Sequence, residues 1–266
     1  MDYRDIIRKH YKKQAEEYGD TSSATMQDEI VREKEVDAIF KFLHSIPVSS
    51  KRIRLLEIGC GNGFLLSCIS KEFNDRFELY GIDMTPELIE IAKQSNPDCQ
   101  FTLGDILKTP YEGGFFDVLI SERVIINVLD EEDQVSTYRE MARVLRSGAL
   151  AVLIEGYKSG LYNLNKAREE FLLEPIPEPS VNNWYTEERW ELFLKTGFEE
   201  LPEEKIKDLI PENFLSSHYF MTRFLHDVIR PENSKIRNTE FARFFAEALP
   251  PTGDYSPLRI KYLRRT

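Results

Sequence analysis

Three glycines at every second position, Gly59, Gly61 and Gly63, follow the apolar run Arg54–Ile58 and precede a helical pattern from about Phe64. Without a Cβ, glycine adopts positive φ and lets backbone approach a ligand closely. A strand, a glycine turn and a helix therefore form a place for a ligand to sit, with Glu57 and Cys60 in its rim. Acids recur just beyond the later apolar runs: Asp83 beside Met84, Asp105 beside Ile106, Glu122 between Ser121 and Arg123, and Glu155. A dinucleotide pyrophosphate site is excluded, since Phe64 stands where Gly-x-Gly-x-x-Gly requires its last glycine. A nucleotide P-loop is excluded as well, because no Gly-Lys-Ser or Gly-Lys-Thr follows.

The elements that must position these residues read as β/α repetition. The runs Arg54–Ile58, Phe77–Ile82, Gln100–Leu103, Phe116–Ile120 and Ala149–Ile154 are nearly continuous in apolar character, as strands of a parallel sheet buried on both faces should be. Thr85 with Pro86 opens one connecting helix, and the acidic run Asp130 to Asp133 opens another that closes near Arg143, Arg146 and Gly148. Beyond Glu155 the prolines at 175, 177 and 179 interrupt any regular helix. Thr186 caps a helix to about Lys195, Phe198 to Asp208 reads as a strand, helical stretches fall at Phe220–Ile229 and Thr239–Leu249, and Leu258 to Arg265 is a final strand. The expected fold is α/β, a doubly wound, seven-stranded, mostly parallel sheet with helical cover insertions. Residues 1–50 form an N-terminal helical cover, 51–210 the core with an insertion at 156–184, 211–254 a second helical cover, and 255–266 the last strand of the sheet.

The chain has 266 residues, 41% hydrophobic and 30% charged, with a net charge of −11. That balance speaks against a nucleic-acid partner, whose phosphates need a basic field. No apolar run approaches the roughly 18 residues of a membrane span, and the start has no signal-peptide pattern, so no membrane association is expected. Three cysteines without close spacing suit a reducing, cytoplasmic setting and offer no metal-ligand pattern. Nothing in the pattern fixes an oligomeric state.

The segment Leu55-Leu56-Glu57-Ile58-Gly59-Cys60-Gly61-Asn62-Gly63 resembles the first motif of class I S-adenosylmethionine-dependent methyltransferases, in the manner of bacterial small-molecule members. The resemblance covers about residues 52 to 200 and includes Tyr138 to Gly148, similar to the helix and turn before the family's fifth strand. It implies S-adenosylmethionine as cofactor. Gly59, Cys60, Gly61 and Gly63 would lie against its methionine part, with Glu57 near the ammonium. Asp83 would hold the ribose hydroxyls, Met84 would pack on the adenine, Asp105 and Ile106 would read the adenine edge, and Ser121 would lie under the cofactor. The leading stretch, with Tyr11, Tyr18, Gly19, Thr25, Met26, Asp28 and Arg32, looks like helices that close over the cofactor, and Arg32 would face the methionine carboxylate.

Methyl transfer is an in-line displacement for which the protein mainly supplies alignment and a shielded site. A hydroxyl acceptor benefits from a base, whereas a carboxylate oxygen needs none. Position beyond the strand ends selects Glu122 and Glu155 as catalytic candidates, and His218, beside Tyr219, is the histidine considered as a base. Arg123, Asn127, Tyr157, Asn163, Arg168 and Tyr185 are the candidates for binding the acceptor. The expected activity is methylation of a small polar or sugar-like acceptor, on oxygen. Methylation of protein or RNA, and a cofactor-binding scaffold without catalysis, are the competing readings.

Overall fold

The computed structural model describes residues 2–21, 26–229 and 238–266, so Thr25 lies outside the described residues. Two helices lead the chain, α1 (Tyr3–Tyr18) and α2 (Glu29–Ser45). The alternating part follows: β1 (Ile53–Ile58), α3 (Phe64–Phe73), β2 (Phe77–Asp83), α4 (Pro86–Ser95), β3 (Gln100–Leu103), β4 (Phe116–Glu122), α5 (Glu131–Val144) and β5 (Leu145–Gly156). Then come α6 (Lys158–Glu170), α7 (Glu187–Leu194), β6 (Phe198–Glu200), α8 (Glu203–Ile206), α9 (Ser216–Phe220), α10 (His226–Ile229), α11 (Glu240–Ala248) and β7 (Leu258–Arg265).

The seven strands form one sheet in the order β3-β2-β1-β4-β5-β7-β6. Strands β1 to β5 pair in parallel, and β7 runs antiparallel between β5 and β6. Successive strand side chains point to opposite faces. Leu55, Val118, Ile120 and Val152 therefore pack on one side against α2 and α3, while Leu56, Ile58, Leu119 and Leu153 pack on the other against α5 and α7. Burial on both faces is why the strands read as continuous apolar runs. This is the doubly wound, mostly parallel sheet that the sequence pattern calls for.

Local differences have local causes. The strand expected over Phe198 to Asp208 ends at Glu200, because Pro202 cannot donate to a ladder, and the chain turns into the short α8. Thr85 occupies the N-cap position of α4 without a side-chain cap bond, and its own N–H donates to Asp83 Oδ1 at 2.8 Å. The helical stretch expected from Phe220 begins at Ser216 and includes a wide turn at Met221–Leu225 between α9 and α10. Among the described residues, no helix is long and apolar enough to cross a membrane.

Candidate functional site

The strand order reverses between β1 and β4, and in open α/β sheets the crevice beyond the strand carboxyl ends at that point is where ligands bind. A cleft opens there. Gly59 and Gly61 form its floor. Asp83 and Met84 come from the end of β2, Asp105 and Ile106 from the loop after β3, and Glu122, Arg123 and Asn127 from the loop after β4. Helix α1 covers it with Tyr3, Arg4, Ile7 and Tyr11. Polar ties fix that helix: Arg4 Nη2 donates to Asp133 at 2.7 Å, Lys12 pairs with Glu87 at 2.8 Å, and the Tyr11 hydroxyl donates to Asn127 Oδ1 at 2.8 Å.

Backbone conformation makes the floor. Gly59, Gly61 and Gly63 have φ of 63°, 52° and 77°. A Cβ on Gly59 would lie 2.3 Å from Val124 Cγ2, so the first glycine is required for the β1 and β4 loops to touch. Asp83 Oδ2 accepts from Gly61 N at 3.0 Å and Oδ1 from Thr85 N at 2.8 Å. Each oxygen keeps acceptor capacity for a ligand hydroxyl. Burial raises the Asp83 carboxyl above its ordinary range, against the opposing pull of those backbone N–H bonds.

Beside the cleft lies a smaller cavity, bordered by Arg32, Glu57, Cys60 and Asn62 and sharing Gly59, Glu122 and Arg123 with the first. Three carboxylates meet two guanidiniums here. Arg32 Nη1 donates to Glu122 Oε2 at 3.1 Å, and Arg123 pairs with the fully buried Glu35 of α2. Glu57 Oε2, Glu122 Oε1 and Glu35 Oε2 are buried and accept no hydrogen bond among the described residues. Burial pushes the Glu57 carboxyl well up, with the nearby Glu122 charge adding to it. Burial also opposes the Arg123 charge, but Glu35 and Glu122 outweigh it and hold the guanidinium ionised. Arg123 has a φ of 56°, a left-handed conformation costing a non-glycine residue ~1–2 kcal/mol.

Glu155 explains how that conformation is kept. It is placed off the cleft, 1% exposed. Its Oε1 accepts from Ser121 Oγ at 2.6 Å and from the N–H groups of Val124 and Ile125 at 3.2 Å each, and its Oε2 accepts from Ile126 N at 3.3 Å. Glu155 and Ser121 thus secure the β4 loop from beneath instead of facing a ligand. Burial lifts the Glu155 carboxyl to about 7, against the bonds from Ser121 and the loop. The folded chain then retains a proton that the unfolded chain has released above about 4.5, so this group's stabilisation is full below that pH and is lost as pH rises towards 7. Relative to Glu155→Gln, the wild type should lose up to ~1.4 kcal/mol of stability per pH unit across that window. Denaturant titrations at several pH values would show it, and a difference independent of pH would count against it.

The remaining sequence candidates separate cleanly. The structure brings Glu57, Gly59, Cys60, Gly61, Asp83, Met84, Asp105, Ile106, Glu122, Arg123 and Asn127 to the two cavities, with Arg32 among them. Gly63 stands just behind, where a Cβ would lie 2.8 Å from the Phe101 ring. His218 is instead buried in the cover, its Nε2 bonded to Asp28 at 3.1 Å. Tyr157 and Tyr185 stack at 5.3 Å inside the core around α5 and α7. Asn163 donates to the Asp254 carbonyl at 3.1 Å, and Arg168 is buried, donating to Asp227 at 2.8 Å and to the Glu174 carbonyl. These side chains satisfy neighbours within the cover and core rather than facing the cleft. Sequence reasoning passed over Tyr3, Arg4, Ile7 and Glu35. Glu35 carried no signal, since it stands among Glu33, Lys34 and Asp37 in what reads as a solvated helix face.

The family described as methyltransferase domain matches residues 49–191. Ajmaline N-methyltransferase of Rauvolfia serpentina is 30% identical over 140 residues, covering 49% of this chain and 46% of that enzyme. The tRNA (carboxymethyluridine(34)-5-O)-methyltransferase alkbh8 of Xenopus tropicalis is 29% identical over 127 residues, covering 48% of this chain and 19% of that protein. The match spans less than half the length of these curated relatives. Magnesium protoporphyrin IX methyltransferase of Synechocystis PCC 6803, solved with bound SAH, aligns over 99% of this chain and 100% of its own with a TM-score of 0.62 at 16% identity, a likeness of fold. Because the family match runs from the first strand past the fifth, over more than half of the sequence, the chain belongs to the methyltransferase-domain family of class I S-adenosylmethionine-dependent enzymes.

Proposed function

We propose that this chain transfers a methyl group from S-adenosylmethionine to an oxygen of a small polar acceptor held under α1. The carrying observation is the excess of buried carboxylates around a glycine-floored cleft. Among the described residues, Glu35, Glu57 and Glu122 meet the guanidiniums of Arg32 and Arg123, and each has an oxygen without a hydrogen bond. A donor bearing an ammonium and a sulfonium matches that charge. Glu57, Arg32 and the glycine turn would hold its methionine part, Asp83 its ribose, and Met84, Asp105 and Ile106 its adenine. When bound, it supplies an activated methyl group. Glu122, Arg123 and Asn127 then border the acceptor, α1 excludes water, and residues 1–50 and 211–254 act as the cover.

An oxygen acceptor needing no protein base fits this site, because none of the chain's four histidines lines the cleft and Glu155 is committed to the β4 loop. The tRNA-modifying relative favours a second reading, an RNA acceptor. The net charge of −11 and the helix across the cleft favour a small molecule. The test is binding of S-adenosylhomocysteine. At 100 times its dissociation constant it adds ~2.7 kcal/mol and should raise the unfolding midpoint by roughly 5–10 °C. No shift would overturn the methyltransferase reading, and transfer to RNA but to no small molecule would establish the second.

A further inference from the structure

We propose that Asn62 is a positioning residue that seats α1 over the cleft, so that the glycine turn governs both the floor beneath the cofactor and the helix above it. The effect on the cofactor rests on the methyltransferase reading above, whereas the seating of α1 does not.

Asn62 stands between Gly61 and Gly63, borders the smaller cavity, and is 3% exposed although polar. A side-chain amide has two donors and an acceptor, and burial demands partners for them. Its Oδ1 accepts from Phe64 N at 3.3 Å, at the start of α3. Both donors leave the turn: Nδ2 donates to the Gly19 carbonyl at 3.0 Å and to the Thr21 carbonyl at 2.9 Å. Gly19 is where α1 stops, since its N–H donates to the Ala15 carbonyl and its φ is 56°, a backbone conformation suited to glycine. The residue that ends the helix is thus held by a residue of the floor.

Other ties of α1 are more exposed. The side chains of Arg4 and Asp133 are 33% and 27% exposed and that of Lys12 is 51% exposed, so solvent weakens those ion pairs. Apolar packing is thin, with only Ile7 and Ala15 buried among the residues of α1. The Tyr11 hydroxyl on Asn127 fixes the middle of the helix, and Asn62 fixes its carboxyl end. A helix laid across a cleft must lift for a ligand to pass. With Asn62 in place, α1 lifts from its Tyr3 end and returns to one seat. Without it, the carbonyls of Gly19 and Thr21 lose this donor and the seat is lost. Because a bound cofactor would lie beneath α1, whatever stabilises the seated helix also slows the cofactor's escape.

The experiment compares full-length variants by hydrogen exchange of the ligand-free protein and by surface plasmon resonance with S-adenosylhomocysteine. In Asn62→Ala, amides in the second half of α1 should exchange at least 10-fold faster, while those of α5 stay within twofold of the wild type. Dissociation of S-adenosylhomocysteine should quicken at least 10-fold, with association within threefold. Asn62→Asp keeps the shape of the turn and the bond from Phe64 N but at pH 8 has no N–H to give, so it should behave like Asn62→Ala. Wild-type behaviour of Asn62→Asp would show that the side chain only shapes the turn, and would overturn the proposal. Should the Asn62 variants fail to fold, Gly19→Val strains the other partner without touching the turn, since a Cβ there meets no atom within 4 Å. It should speed both α1 exchange and dissociation at least threefold. Unchanged exchange in α1, or slower association with unchanged dissociation, would also overturn the proposal. Absence of S-adenosylhomocysteine binding by the wild type would instead refute the methyltransferase reading, and exchange in α1 would still decide the part played by Asn62.

Discussion

Gly59→Ala is expected to lower stability by ~2–5 kcal/mol and to weaken S-adenosylhomocysteine binding at least 100-fold. Two costs add. The φ of 63° penalises any residue with a Cβ. The new methyl would also sit 2.3 Å from Val124 Cγ2, well inside contact distance. Val124 has little freedom to retreat, because its N–H is bound to Glu155 and its neighbours Ile125 and Ile126 are bound there as well. Relief must come from parting the β1 and β4 loops, and that parting takes apart the floor of the cleft. The unfolding midpoint should fall by roughly 5–15 °C. Gly148→Ala is the control, since it also has positive φ but meets no atom within 4 Å. An equal loss of binding in both variants would show that backbone strain elsewhere, not contact at Val124, is responsible.

That contact also marks the limit of what sequence reading reaches. The glycine turn, Asp83 and Asp105 are legible because each directly follows a strand, so local order alone puts them on one edge of the sheet. The same reasoning admits Ser121 and Glu155, which also stand at strand ends. Which of two adjacent strand residues faces the ligand depends on the neighbouring strand and loop. Here Glu122 borders the cleft, whereas Ser121 turns down to Glu155. Tyr157 and Tyr185 mislead for a related reason. The place of Tyr157 after the fifth strand and the aromatic face of Tyr185 suggest a binding surface, but stacking against each other and edge contacts with Trp190 make them core. Glu35 is illegible because its partner, Arg123, is 88 residues away and no local pattern links them.

The helices of the cover show the same dependence on distance. Arg4 and Lys12 of α1 reach Asp133 and Glu87 across the cleft, partners that lie far away in the sequence. His218, attractive as a base by residue type, is bonded to Asp28 at the start of α2, beside Arg223. Glu155 and His218 are thus drawn into structural bonds, whereas Glu122 borders the cleft and pairs with Arg32.

Asp83→Ala is expected to abolish useful cofactor affinity while leaving the fold intact. Two charge-assisted bonds to ribose hydroxyls contribute ~1.5–3 kcal/mol each, so losing both should raise the dissociation constant for S-adenosylhomocysteine at least ~100-fold. The carboxylate has a second task, since its oxygens hold Gly61 N and Thr85 N at 3.0 and 2.8 Å. Alanine releases these two N–H groups to the water of the cleft, so stability should fall by no more than ~1–2 kcal/mol. Asp83→Asn separates the tasks: its carbonyl oxygen can keep one backbone bond, but its amide nitrogen meets a donor and can accept from no hydroxyl. Its affinity should therefore fall between the other two. Asp117→Asn is the control, an acid that accepts from Arg54 N and Arg146 at the opposite end of β4. Isothermal titration with S-adenosylhomocysteine decides the matter. If Asp83→Ala binds within threefold of the wild type, ribose recognition lies elsewhere, and Asp83 serves only to shape the turn between Gly61 and Thr85.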